Sequence, residues 1–116
     1  MKIIALINQK GGVGKTTSSI NIGAGLKQLG QKVLLVDLDP QAHLTYSLGI
    51  VAHELEKTVY QLLKGESSLY ETIIERDGLN LIPSILDLSG AEAELSGVAG
   101  GEFLLRKTLT DLQGFD

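Results

Sequence analysis

The sequence predicts an α/β domain built on a parallel sheet with flanking helices, and three observations carry that prediction. Two short continuous apolar runs, Ile3-Ile4-Ala5-Leu6-Ile7 and Val33-Leu34-Leu35-Val36, have the pattern of strands buried on both faces. Between them the glycine-rich stretch Gly11-Gly12-Val13-Gly14 opens a helix-length segment. The composition is that of a globular chain, with 43% hydrophobic and 21% charged residues among 116, a length that allows one domain and leaves no room for two.

Each element follows in order. After the first strand and the glycine loop, Thr16 to Leu29 forms a helix, because Ile20, Ala24 and Lys27, or alternatively Ile22, Leu26 and Leu29, recur at three- and four-residue spacing. Gly30 supplies its stop. Val33–Val36 then completes a βαβ unit, whose crossover is right-handed. Asp37 to Gly49 is a polar loop at the carboxyl end of that strand, where open α/β sheets place ligands. Thr58–Leu63 and Leu69–Ile74 read as short helices on either side of the turn Lys64-Gly65-Glu66. Leu79–Ile82 is a third buried, parallel strand ended by Pro83, and Ala91–Leu95 and Phe103–Leu112 are further helices. A helix closing an α/β pattern feeds another strand, and none is seen before Gly114-Phe115-Asp116.

Charge and composition exclude several classes. Ten Lys and Arg against fourteen Asp and Glu give a net charge of −4, which rules out a uniformly basic nucleic-acid coat and leaves a local patch open. Without cysteine there is no disulfide framework, thiolate metal site or cysteine nucleophile, in keeping with a reducing cytosol. No apolar stretch approaches the roughly 18 residues of a membrane span, and Lys2 is followed by too short an apolar run for a targeting segment. His43 and His53 are too few and too irregularly placed for a metal site, and Tyr46, Tyr60 and Tyr70 form no stacking platform with basic neighbours.

The chemistry is concentrated in Lys10-Gly11-Gly12-Val13-Gly14-Lys15-Thr16-Thr17, which lies between a strand and a helix. Glycines let successive backbone N–H groups turn inward around a phosphate, and the helix N-terminus adds the positive end of its dipole. Lys15 reaches the β- and γ-phosphates, the Thr16 hydroxyl is placed for Mg²⁺, and Thr17 for an α-phosphate oxygen. A glycine-rich turn that merely caps a helix would not explain both lysines and both threonines. The general pattern G-x-x-x-x-G-K-[ST] is nevertheless not met, since its first glycine falls at Gln9. The second constellation is Asp37-Leu38-Asp39-Pro40-Gln41, leaving the second strand. Two carboxylates beside a triphosphate need Mg²⁺ and Lys15 for company. Taken alone, the same residues fit a solvated turn equally well.

The KGGVGKTT form, with its extra lysine at Lys10, resembles the deviant Walker A motif of the ParA/MinD family of P-loop ATPases. The continuation Asp39-Pro40-Gln41-Ala42-His43-Leu44-Thr45 is similar to the DPQGNLT of ParA proteins more than to the DIGLRN of MinD, with Ala42 and His43 in place of the usual Gly and Asn. Gly78-Leu79-Asn80-Leu81-Ile82-Pro83-Ser84, followed by Leu86-Asp87-Leu88-Ser89-Gly90-Ala91-Glu92, resembles the family's GLDLIPS and DLAGAE segments.

The resemblance implies a P-loop NTPase fold, ATP or ADP bound with Mg²⁺ through Gly11, Gly12, Val13, Gly14, Lys15, Thr16 and Thr17, and three catalytic residues, Lys10, Lys15 and Asp39. Asp39 orients the attacking water, Asp37 lies near the Mg²⁺ shell with Thr16, and Lys10 reaches the partner's phosphates in an ATP-sandwich homodimer. It further implies chromosome or plasmid partitioning by a cytoplasmic, nucleoid-associated ATPase of the compact, Soj-like kind. Such a protein binds DNA non-specifically, is stimulated by a ParB-type partner and has no membrane association. A MinD-like membrane-cycling ATPase and a non-hydrolysing nucleotide-binding module are the alternatives. Members of the family continue with a strand of the type D-F-[IV]-[IL]-[IV]-D-x-P-P that carries the Walker B aspartate, and Phe115-Asp116 resembles the approach to it. Residues 1–116 are thus expected to be the N-terminal part of a single ATPase domain, with the Walker B strand missing and an open edge left on the first strand.

Overall fold

Short apolar runs become strands only where a ladder partner meets their backbone, and in this chain the partner is a late one. The computed structural model describes residues 1–11 and 14–116. Helix α1 (Lys15–Gln28) leads to strand β1 (Leu34–Val36), followed by helix α2 (His43–Ser47) and a single turn of 3₁₀ helix at Ala52–Glu54. Helices α3 (Val59–Leu63) and α4 (Leu69–Thr72) precede the hairpin of β2 (Ile74–Arg76) and β3 (Leu79–Ile82). Helices α5 (Ala91–Ser96) and α6 (Leu104–Thr110) complete the order, each introduced by a 3₁₀ turn.

The three strands form one sheet in the order β1-β3-β2. Parallel pairing sets Leu34 opposite Asn80, Leu35 opposite Leu81 and Val36 opposite Ile82. The ladder runs on past β1, where the Asp37 N–H donates to the Ile82 carbonyl at 3.0 Å. Strand β2 pairs antiparallel to β3, so the sheet is mixed rather than wholly parallel as expected. Asp77 and Gly78 join the two strands with φ of 52° and 73°. Positive φ at both central residues is what a two-residue hairpin turn requires, and Asp-Gly is its preferred sequence. The expected helix Leu69–Ile74 therefore stops at Thr72, and Ile74 turns into the sheet edge.

Alternation along the strands divides the core between two faces. Leu35, Leu79 and Leu81 pack with Leu44, Leu48 and Ile50, and Ile20 of α1 joins them. Of the two candidate faces of α1, the inward one is therefore that of Ile20, while Ile22 and Leu29 are exposed. Gly23 sits on the same inward side, so close to the sheet that a Cβ there would meet the Leu35 Cδ2 at 2.9 Å. On the opposite face Ile82 packs with Val59, Leu62, Leu69, Leu88 and Ala91, with Leu34 and Val36 alongside. Helices thus cover both faces, as the buried strand patterns demand.

The run Ile3–Ile7 departs most from expectation. It has no ladder partner among the described residues, and Ile3, Ile4 and Ile7 are 68, 64 and 87% exposed. The reason lies in Asp116, whose N–H donates to the Lys32 carbonyl at 2.8 Å while its own carbonyl accepts from the Lys2 N–H. Residue 116 stands between residues 2 and 32, so the first segment lies beyond hydrogen-bonding reach of β1.

Two predictions follow from this packing. Leu81 is fully buried in the central strand, so Leu81→Ala is expected to lower unfolding stability by about 2–5 kcal/mol in denaturant titrations. At α4, Glu71 accepts from both the N–H and the hydroxyl of Ser68, at 3.2 and 2.8 Å, and pairs with Lys57. The Ser68 bonds first, then Lys57, lower its carboxyl from 4.5 to about 2. A lowered folded-state value contributes stability that is complete above the ordinary value and lost as pH falls through the folded one. Thermal melts of wild type and Glu71→Ala are accordingly expected to differ most above pH 4.5 and to converge toward pH 2.

Candidate functional site

Helix α1 begins at Lys15, and Gly14 before it adopts φ 84°, a left-handed conformation suited to glycine. Among the described residues no side chain caps this helix, so the first backbone N–H groups of a 14-residue helix have no side-chain partner there. A Cβ at Gly11 would meet nothing within 4 Å among the described residues. Thr16 is half-buried, while Thr17 and Lys10 are exposed, the Lys10 N–H bonding the Asn8 side chain at 2.8 Å. The binding roles read for Gly12 and Val13 lie outside the described residues.

Across from this loop, the turn after β1 brings its second aspartate to the lysine. The Lys15 Nζ donates to the Asp39 Oδ2 at 3.2 Å, with the two side chains 31 and 28% exposed. These residues are 24 positions apart in the chain, and the fold joins them because α1 and β1 converge on one end of the sheet. Asp39 also closes its own turn, accepting from the Gln41 N–H at 3.0 Å through Oδ1. The Gln41 bond foremost, with Lys15 behind it, holds the Asp39 carboxyl below its ordinary range against an opposing effect of burial.

Asp37 behaves differently. It is buried, and its carboxylate faces its own loop, accepting from the Asp39 N–H at 3.1 Å and from the Thr45 N–H and hydroxyl at 3.0 and 2.6 Å. The Thr45 hydroxyl in turn accepts from the Ser84 N–H at 3.0 Å. Neither Thr45 nor Ser84 stands out in the sequence as more than part of a longer resemblance. Only the folded loop, wound into α2, sets Thr45 against Asp37.

Ala42 carries the cost of that winding. It precedes α2 with φ 55° and is almost wholly buried, a left-handed conformation that costs a non-glycine residue about 1–2 kcal/mol. His43 and His53 are exposed.

The donor set fits a phosphorylated ligand. A helix start without a side-chain cap among the described residues, with a lysine amine at its first residue and a threonine hydroxyl at its second, supplies the kinds of donor a phosphate cradle uses. The arrangement is that of a P-loop protein. A family model described as AAA domain matches residues 1–115. The chain belongs to this family, and the relatives it matches include ParA-like partitioning proteins.

Among its relatives, the chromosome-partitioning ATPase Soj of Thermus thermophilus is 51% identical over 113 residues, covering 97% of this chain and 42% of that protein. The chromosome partitioning protein ParA of Caulobacter vibrioides is 41% identical over 111 residues, covering 94% of this chain and 42% of that one. The crystal structure of cobyrinic acid a,c-diamide synthase from Mycobacterium smegmatis with bound ADP and magnesium superposes with a TM-score of 0.91 at 46% identity, over 95% of this chain and 46% of that one. The chain thus spans less than half the length of these relatives. Among the described residues no helix is long and apolar enough to cross a membrane.

The strained position before α2 is open to a direct check. Ala42→Gly is expected to relieve the left-handed strain, but the lost buried methyl and the added flexibility of the unfolded chain offset it, so denaturant unfolding is expected to show a net change of less than about 1 kcal/mol.

Proposed function

We propose that the protein binds and hydrolyses ATP with Mg²⁺ and serves chromosome or plasmid partitioning, acting through ATP-dependent dimerisation and non-specific DNA binding in the cytoplasm at the nucleoid. A ParB-type partner stimulates hydrolysis. The observation that carries this reading is the Lys15–Asp39 contact at the uncapped start of α1. A lysine amine, of the kind a β- or γ-phosphate calls for, and a carboxylate, of the kind that can orient an attacking water, lie one hydrogen bond apart there, which supports the reading.

In this reading the glycine loop and Lys15 hold the phosphates, with Thr17 at the α-phosphate. The Thr16 hydroxyl holds Mg²⁺, with Asp37 near that shell, and the ion when bound draws charge off the phosphate oxygens. Lys15 leaves Asp39 for a phosphate oxygen, and the freed Asp39 carboxylate accepts a hydrogen bond from water and aligns it for attack. Lys10, exposed at the mouth of the loop, offsets the repulsion of two nucleotides when two copies meet. Residues 1–116 then form the N-terminal part of one ATPase domain.

Calorimetric titration with Mg-ATP, together with a phosphate-release assay, tests the assignment. Lys15→Ala is expected to weaken ATP binding at least about tenfold, equivalent to roughly 1.4 kcal/mol. Asp39→Ala, which frees Lys15, is expected to keep or tighten binding while lowering turnover about 100-fold or more. Hydrolysis unaffected by either substitution would sink the site.

A further inference from the structure

We infer that Thr45 is a positioning residue for Asp39, acting through the Asp37 carboxylate and tying the loop after β1 to the end of β3. The inference rests on the proposed reading of Asp39 and Lys15, and deepens it by naming what holds Asp39 in place.

Thr45 is fully buried, and its hydroxyl uses both of its capacities: it donates to the Asp37 Oδ2 at 2.6 Å and accepts from the Ser84 N–H at 3.0 Å. The other oxygen of the same carboxylate, Oδ1, accepts the Asp39 N–H at 3.1 Å. One carboxylate therefore fixes the residue that meets Lys15 on one side and the hydroxyl that meets β3 on the other. The circuit closes through the backbone, because Asp37 donates its own N–H to Ile82, two residues before Ser84. Its members Asp37, Thr45 and Ser84 are buried, where water does not replace a lost partner.

The side chain of Ser84 takes no part. Its Oγ is buried without a hydrogen-bond partner among the described residues, so the bond between residues 45 and 84 is made by the Ser84 backbone and the Thr45 hydroxyl. A carboxylate has about four acceptor positions, and three of those on Asp37 are taken by this loop. That commitment makes Asp37 the hub from which Asp39 hangs. Valine at position 45 keeps the branched shape and removes both hydroxyl bonds, whereas serine keeps the hydroxyl.

Residue-resolved amide hydrogen exchange on the full chain, without nucleotide, tests this for wild type, Thr45→Val and Thr45→Ser. Thr45→Val is expected to speed exchange at least about tenfold at the Asp39, Gln41 and Ser84 amides while leaving Leu35 and Leu81 unchanged, and Thr45→Ser to restore the wild-type pattern. Asp37→Asn, close in shape, gives the same selective pattern by a second route and serves if Thr45→Val does not fold. Exchange that rises equally in the strands and the loop, or that stays unchanged at Asp39 and Gln41, overturns the positioning role. Mg-ATP binding by wild type is measured separately, so that a failure to bind nucleotide counts against the proposed function and leaves the exchange result to decide the role of Thr45.

Discussion

Leu35 opposite Leu81 and Val36 opposite Ile82 form the pairing on which both halves of the core are built. Both residues of the first couplet face α1 and α2, and both of the second face α3, α4 and α5. A slip of one residue would turn every one of these side chains to the wrong face, so the register is fixed by burial on two sides at once. The same ladder, extended by the Asp37 N–H to Ile82, delivers the loop after β1 to the start of α1. The site is therefore a consequence of the register: if Asp37 did not end the ladder, Asp39 would not meet Lys15.

Much of this was legible from residue patterns. The helix after the glycine loop, β1, β3 and the short helix beginning after Thr58 are close to where spacing and stop signals put them. The glycine loop was readable from residue types at fixed spacing, whereas the two aspartates, which alone fit a solvated turn equally well, drew their reading from the family resemblance; the fold brings Lys15 and Asp39 together. The hairpin was missed although Asp77-Gly78 carries its turn signal, because the apolar residues of Leu69–Ile74 also suit a helix and strand β2 has only three residues. Helix α2 was missed because a five-residue helix has too few positions to show a period. Its alanine start in a left-handed conformation gave no cue, since glycine or asparagine is the residue associated with that geometry.

The first apolar run shows the limit of pattern reading from the other side. Ile3–Ile7 has the composition of a buried strand, and composition records what a segment is suited to pair with rather than what stands next to it. Asp116 is bonded to both Lys2 and Lys32, and the run itself has no ladder partner among the described residues. Its isoleucines are consequently exposed, an apolar surface of the kind that sheet proteins ordinarily cover.

Two aspartates two residues apart have been given opposite physical characters by the same loop. Asp37 is buried and held by three hydrogen bonds from uncharged donors, and breaking such a set leaves polar groups without partners in a dry interior. Asp39 is part-exposed and shares its lysine with solvent, and an ion pair of that kind is worth roughly 0–1 kcal/mol. A phosphate entering the glycine loop would have little to displace in order to claim Lys15, while the backbone of Asp39 would stay where Asp37 holds it. The loop thus separates two requirements that a single carboxylate could not meet together: a fixed position, which needs burial, and an exchangeable charge, which needs access to the ligand.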